Sequence, residues 1–371
     1  MQITRVEPVL FDAGLRRVWC FVRVETDAGI TGYGESTTTE PFMAAAVVRR
    51  LAEWLVGEDP RRIQDLWQRM YRRYHNVRGG NLLLAAISGI EHALWDVKGK
   101  LAGMPAYELL GGAMRDRVPV YANHMFFPSA AGPDAPAQYA ERAAEAAARG
   151  YRAVKIAPFG TFRDTLSRSE LRHVRAVVRA VRDAVGPDME IGIDSHARFG
   201  VGTAIQVARA LEEYEPFFFE EPVPPENVAA ARKVREATSV PIATGERVYT
   251  KWGYRDLLEA QAVEIIQVDV AHCGGLFEAR LIAALAETYY VQVAPHSWYG
   301  PVSLAASLHL DASIPNFLIQ ETPVPHQVPP QQRDLLTAPL EMVDGTMAIP
   351  TDPGLGITLD EAILERHRIA E

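Results

Sequence analysis

The sequence predicts an α/β protein in which a small α+β capping domain precedes a (β/α)8-type barrel. Three observations carry that expectation. Between residues 117 and 322, short apolar, β-branched runs alternate with amphipathic helical stretches, the pattern of parallel strands joined by crossover helices. The polar residues that end those runs recur at even intervals: 26 residues from Asp194 to Glu220, 26 to Glu246, 23 to Asp269, 27 to His296 and 25 to Glu321. The first third reads differently, as strands followed by helices, which marks a separate unit.

Taken in order, residues 2–10, 18–26 and 30–35 are rich in β-formers, and Asp27-Ala28-Gly29 sits between the last two as a turn. An antiparallel meander is expected there. From about Glu40 the period becomes helical, over 42–56, 60–74 and 81–101, and Gly111-Gly112 close a short helix near 105–110. Eight strand candidates follow, at 118–123, 153–157, 190–194, 217–221, 241–246, 264–269, 291–296 and 316–321. Helices are expected between them at 135–149, 168–185, 202–213, 225–237, 252–260 and 275–287. Each interval fits one strand, one helix and two loops, and eight such units make a barrel. The tail loses the repeat, is rich in Pro and Gly, and is expected to return to the cap. The division is therefore 1–116 for the cap, 117–322 for the barrel with the active site, and 323–371 for the returning segment.

Composition narrows the function. A chain of 371 residues suits a barrel of about 200–250 residues with a smaller companion. Hydrophobic residues at 48% and charged residues at 23% are the balance of a globular protein, so disorder is set aside. The net charge of -9, with Lys and Arg scattered, argues against a nucleic-acid surface and for a small-molecule ligand. Cys20 and Cys273 are too few for a disulfide framework or a thiolate zinc site, which fits a reducing compartment. The opening MQITRVEPVL lacks the basic segment and long apolar run of a signal peptide, and no 18 apolar residues run together. A cytoplasmic protein away from membranes is expected.

In a parallel barrel, the C-terminal strand ends converge on one mouth, where active sites of such barrels lie. Here seven successive ends are ionisable: Lys155, Asp194, Glu220, Glu246, Asp269, His296 and Glu321. Asp194, Glu220 and Glu246 come from consecutive strands with no basic residue inside their own runs. Held together they repel, and the usual remedy is a divalent cation. An all-oxygen donor set points to Mg²⁺, one ion per site, with positions left for water and substrate. Glu221, next to Glu220, is expected to face the other way as a supporting or helix-capping group, although the two could be interchanged. Asp269 and His296 end adjacent strands. A carboxylate bonded to one ring nitrogen raises the basicity of the other, so His296 is the candidate general base.

These residues resemble the mandelate racemase branch of the enolase superfamily, and within it the acid-sugar dehydratases. The likeness runs through GITGYGE (29–35), AISGIEHALWDVKGK (86–100), the AVKIA, GIDSH and FFFEEP runs, ATGERV (243–248), VDVAHCGG (268–275), APHSWYGP (294–301), NFLIQE and PGLGI (353–357). The resemblance implies a modified TIM barrel, Asp194, Glu220 and Glu246 as Mg²⁺ ligands, and His296 with Asp269 as the base dyad. It also implies Lys155 and Glu321 beside a bound carboxylate. A His or Lys base with Mg²⁺ stabilising an enediolate is the superfamily's general pattern. Where racemases of this branch carry a second lysine, this chain has Ala157, so racemisation by a Lys and His pair is not expected. His196, two residues after Asp194, matches the dehydratases and is the candidate acid for a leaving hydroxyl. The implied reaction is loss of the C2 proton and the 3-hydroxyl of a sugar acid; a lactone cycloisomerase or an epimerase is the alternative. Specificity is expected from the loop of Arg16, Arg17 and Trp19, from Arg78 in HNVRGGN, from His124 and from Trp298. The resemblance also implies a homo-oligomer.

Overall fold

The computed structural model describes residues 1–76, 78–123, 135–162, 164–323 and 328–370. The cap begins with an antiparallel sheet of β1 (Ile3–Gly14), β2 (Arg17–Thr26) and β3 (Thr31–Glu35). Its helices are α1 (Pro41–Leu55), α2 (Ile63–Arg73), α3 (Asn81–Ala102) and α4 (Ala106–Leu109). Helix α3 lies directly on β3. This is possible because Gly34 and Gly89 carry no Cβ: one built on Gly34 would overlap the Gly89 carbonyl oxygen.

The barrel domain contributes β4 (Arg117–Asn123), β5 (Ala153–Ile156), β6 (Glu190–Asp194), β7 (Phe218–Glu220), β8 (Ile242–Thr244), β9 (Ile265–Ile266), β10 (Gln292–Val293) and β11 (Gln320–Pro323). Strands β4 to β10 pair in parallel, each with the next. β11 pairs in parallel with β4, and the residues leading into it meet β10 through a bridge between Val293 and Phe317. Between the strands run α5 (Pro136–Ala148), α6 (Arg168–Val185), α7 (Val201–Leu211), α8 (Val228–Arg235), α9 (Thr250–Glu259), α10 (Leu276–Glu287) and α11 (Pro301–Ser313). Helix α11 has no counterpart in the sequence reading. All of Val302–Ser313 is buried, so the polar stripe that marks a surface helix is missing.

The later ladders are shorter than the predicted runs. β9 covers only Ile265–Ile266 of 264–269, because the chain beyond turns at Asp269, whose carbonyl accepts the amides of His272 and Cys273. The tail also differs from expectation, since it serves both units. After α12 (Pro330–Arg333), a hairpin of β12 (Met342–Val343) and β13 (Thr346–Ala348) joins the start of β4 in antiparallel register. Leu355 N then donates to Asp96 of α3 at 2.9 Å, and α13 (Glu361–Arg366) brings Glu361 and Glu365 to Arg23 of β2.

Polar ties fasten cap to barrel. Glu91 of α3 accepts the amides of Leu276 (2.8 Å) and Phe277 (3.0 Å), which places a carboxylate at the positive end of α10. Trp67 Nε1 donates to the Gly274 carbonyl at 2.6 Å. Among the described residues, no helix is long and apolar enough to cross a membrane.

Candidate active site

Strand alternation builds the site in two layers. The lower is apolar: Tyr121, Ala153, Phe218, Ala243, Ile265, Ala294 and Ile319 cluster inside the barrel, and the ring of Phe218 fills the space where Gly192 has no side chain. Two residues further along each run, on the same face, stand Asn123, Lys155, Asp194, Glu220, Gly245, Gln267, His296 and Glu321. An apolar floor therefore supports a polar mouth. Charges set on such a floor are desolvated and must find partners.

Lys155 is the hub. Its ammonium, 2% exposed, donates to both oxygens of Glu220 (3.0 and 2.8 Å) and lies 3.1 Å from Glu321 and 3.5 Å from Asp194. Burial pulls its pKa down, but Glu220, Glu321, Tyr121 and Asp194 outweigh burial and hold it well above the ordinary lysine value. Gln267 Nε2 adds a second donor to Glu220 at 2.6 Å. Even so, burial pushes the Glu220 carboxyl up to about 8, with Asp194, Glu246 and Glu321 raising it and Lys155 lowering it. Negative charge is in excess at this point.

Asp194 and Glu220 are register partners on β6 and β7, and Glu246 lies two residues beyond β8. Glu246 faces Arg247 at 3.1 Å and His296 Nε2 at 3.2 Å, while Lys155 reaches Asp194 and Glu220. Among the described residues, no group of three or more His, Cys, Asp or Glu side chains is gathered so as to hold a metal ion. The donor chemistry nevertheless fits a hard divalent cation, because three carboxylates face one region whose excess negative charge already raises Glu220.

Asp269 Oδ2 receives His296 Nδ1 at 2.7 Å. Burial pulls His296 down, but Glu246, Glu321 and Asp269 together carry it up to about 10. Glu321 is itself held by the Ser297 amide at 2.9 Å and by Asn123 Nδ2. His196 reaches Asp194 Oδ2 with Nε2 at 3.2 Å and donates its amide to Oδ1 at 2.8 Å. It arrives by a turn at φ 51° and not by continuing the strand. Glu221, at φ 44°, pairs with Arg247, so it turns away from Lys155.

A cavity of about 470 Å³ opens over these groups, with Lys155, Asp194, His196, Glu246 and His296 in its wall. Trp298 lines it too, with Arg17 of the cap 4.9 Å over its ring. Two expected specificity residues stand elsewhere. Trp19 is 6% exposed and stacked on Phe11 of β1 at 5.9 Å, because its strand face is the cap's core face. Arg78 is exposed with its guanidinium 5.8 Å from the Tyr71 ring, and Asn81, at the start of α3, lines the cavity in its place. His124 lies outside the described residues. Sequence reasoning missed Arg247 and His272, both cavity residues. The available signal was proximity: Arg247 follows Glu246, and His272 is three residues past Asp269.

Fold and site together define a class. Residues 11–111 match the mandelate racemase/muconate lactonizing enzyme N-terminal domain, and residues 138–363 match the enolase C-terminal domain-like family. The chain belongs to the mandelate racemase/muconate lactonizing enzyme family of the enolase superfamily. Within it, the chain is 39% identical over 374 residues to the D-galactonate dehydratase of Xanthomonas oryzae pv. oryzae (strain PXO99A), covering 99% of this chain and 94% of that protein. It is 37% identical over 372 residues to the D-gluconate dehydratase of Thermoproteus tenax, covering 99% of this chain and 74% of that protein. The crystal structure of a mandelate racemase/muconate lactonizing enzyme from Sulfitobacter sp. superposes with a TM-score of 0.92 at 34% identity, covering 100% of this chain and 96% of that one.

Proposed function

We propose that this chain is a Mg²⁺-dependent acid-sugar dehydratase, a carbon-oxygen lyase that converts a sugar acid to a 2-keto-3-deoxy acid. One observation carries the reading: His296, bonded to Asp269 behind it, shares a 470 Å³ cavity with Lys155 and with His196 beside Asp194. That volume suits a small polyhydroxylated acid. The kinship with D-galactonate and D-gluconate dehydratases supports the same class.

Asp194, Glu220 and Glu246 would hold one Mg²⁺, which when bound supplies positive charge to the carboxylate end of the substrate. Lys155 adds a fixed ammonium at that end, so charge developing there is stabilised without reorganisation. His296 takes the C2 proton through Nε2, while Asp269 holds the opposite nitrogen. Glu321 holds an oxygen of the resulting enediolate by a hydrogen bond, whichever of the two partners supplies the proton. Protonated His196 donates to the 3-hydroxyl as it leaves, and the enol then ketonises. Ala157, also in the cavity wall, brings no amine to the site, so a Lys and His racemase mechanism has no second base here.

Incubation with a library of mono- and di-acid sugars plus Mg²⁺, followed by semicarbazide, tests the proposal. A 2-keto-3-deoxy acid semicarbazone is expected from at least one sugar acid. Products that keep every hydroxyl, as epimers do, or lactones that are only isomerised would overturn it.

A further inference from the structure

We propose that Gln267 is a positioning residue for the Mg²⁺ site, whose amide turns the Glu220 carboxylate so that Oε1 is the oxygen offered to the ion. Gln267 follows β9 directly and is fully buried. Its Nε2 donates to Glu220 Oε2 at 2.6 Å, while the Lys155 ammonium donates to the same oxygen at 2.8 Å and to Oε1 at 3.0 Å. Each carboxylate oxygen has two lone pairs. Among the described residues, Oε2 is therefore filled by two donors, and Oε1 keeps a lone pair for a cation.

The backbone is built for this reach. Glu220 stands on β7 and Gln267 follows β9, so the amide must cross the strand between them, β8. The residue of the polar layer that follows β8 is Gly245, which brings no side chain into the gap. A Cβ built there would fall 2.7 Å from the Gln267 nitrogen and 2.8 Å from its carbonyl carbon, so any side chain at 245 would press on the backbone that carries the amide. That backbone is fixed from the same side, because the Thr244 carbonyl accepts the Gln267 amide at 2.9 Å.

The residue type fits as well. A carboxamide holds a carboxylate without neutralising it, so the charge of Glu220 stays available to the ion. Lys155 is shared, since it also faces Glu321 at 3.1 Å and Asp194 at 3.5 Å and is assigned to the carboxylate end of the substrate. Among the described residues, Gln267 Nε2 bonds Glu220 alone, so its hold on the ligand does not depend on substrate. Gln267 Oε1 is buried and makes no hydrogen bond among those residues. The bond to Glu220 thus sets the orientation of the amide, because the flipped form would turn an oxygen on the carboxylate.

The inference rests on Glu220 being a Mg²⁺ ligand, and calorimetric titration of MgCl₂ into the metal-stripped, full-length protein separates the two. The parent is expected to bind Mg²⁺. Gln267→Met has a similar length without the donor, and Gln267→Asn keeps the amide but is too short to reach. Both are expected to raise the Kd for Mg²⁺ by about 10–100-fold, and Gln267→Asn decides the matter if Gln267→Met does not fold. Glu220→Gln weakens binding by itself, and adding Gln267→Met to it is expected to change Kd by less than about threefold, because the carboxylate through which Gln267 acts is gone. A Kd within about threefold of the parent in the single variants, or a full further loss in the double variant, would overturn the positioning role and leave the metal site standing. A parent that takes up no Mg²⁺ would sink the metal reading itself and this inference with it.

Discussion

Glu35 ends β3, is fully buried, and reaches across to the loop that follows the base. Its Oε1 accepts the Gly300 amide (2.7 Å) and the Thr37 hydroxyl (2.8 Å), and its Oε2 accepts the Ser303 amide (2.9 Å). One carboxylate thus caps α11 just beyond His296. Burial pushes this carboxyl up to about 7 from 4.5, against the lowering pull of the Ser303 and Gly300 amides and the Thr37 hydroxyl. The gap of about 2.5 pH units, at 1.36 kcal/mol each, amounts to about 3.4 kcal/mol. Between those pH values the folded state binds the proton and the unfolded state does not. The contribution to stability is therefore full below pH 4.5 and is lost as pH rises through 7. Glu35→Gln removes the titration, so the variant's stability relative to the parent should improve by about 2.5 kcal/mol between pH 5 and pH 8. Any fixed penalty from turning an amide NH₂ toward N–H donors is present at both pH values and cancels. Glu91, also pushed up to about 7 by burial, is common to both proteins and cancels as well. Urea unfolding of parent and variant at the two pH values reads the difference. A gap that stays constant, or moves in the parent's favour, refutes the assignment of a strained carboxylate at this helix end.

Other outcomes follow from the site. His296→Asn should abolish exchange of the substrate C2 proton with solvent deuterium, measured by ¹H NMR, and exchange at the parent rate would remove the base assignment. His196→Asn should keep that exchange while lowering keto-acid formation by about 10²–10⁴-fold, the usual worth of one general acid. Chelation with EDTA should silence the enzyme and lower its melting temperature, and Mg²⁺ should restore both in a concentration-dependent way. Lys155→Met leaves buried Glu220 and Glu321 without their cation and should destabilise the metal-free protein by about 3–5 kcal/mol, with Mg²⁺ offsetting part of the loss in thermal unfolding.

The polar mouth was legible in the sequence because a strand repeats every two residues and a barrel unit every 23 to 27. Those periods phase Asp194, Glu220, His296 and Glu321 without knowledge of any contact, whereas Lys155, 39 residues before Asp194, is phased by its strand alternation alone. What stayed hidden depends on partners far apart in sequence. His272 is fixed by a bond to the Thr37 carbonyl 235 residues away, and Glu35 by amides 265 and 268 residues away. Trp19 is a different case, since its position opposite Phe11 across a β-pair could have been read from the alternation that places Phe21 on the same face. Reading it as a pocket residue gave more weight to its nearness to a loop than to its strand period.

Glu220 and Glu221 show where periodicity stops being enough. Chemically they are identical and adjacent, so composition cannot separate them. Glu220 is still in the β7 ladder, two residues above Phe218, and faces Lys155. Glu221 has left the strand at φ 44° and pairs with Arg247. Its backbone does a second job: the carbonyl accepts the Ser195 hydroxyl at 2.7 Å and the Ala197 amide at 2.9 Å, pinning both neighbours of His196. The turn that presents the proposed acid is thus held by the residue after a proposed ligand. Strand phase selects which carboxylate faces the mouth, and departure from that phase sets where His196 sits. In Glu221→Gln the backbone bonds persist, so the His196 turn should survive while Arg247 is left with Glu246 as its carboxylate partner, which separates the two roles of one position.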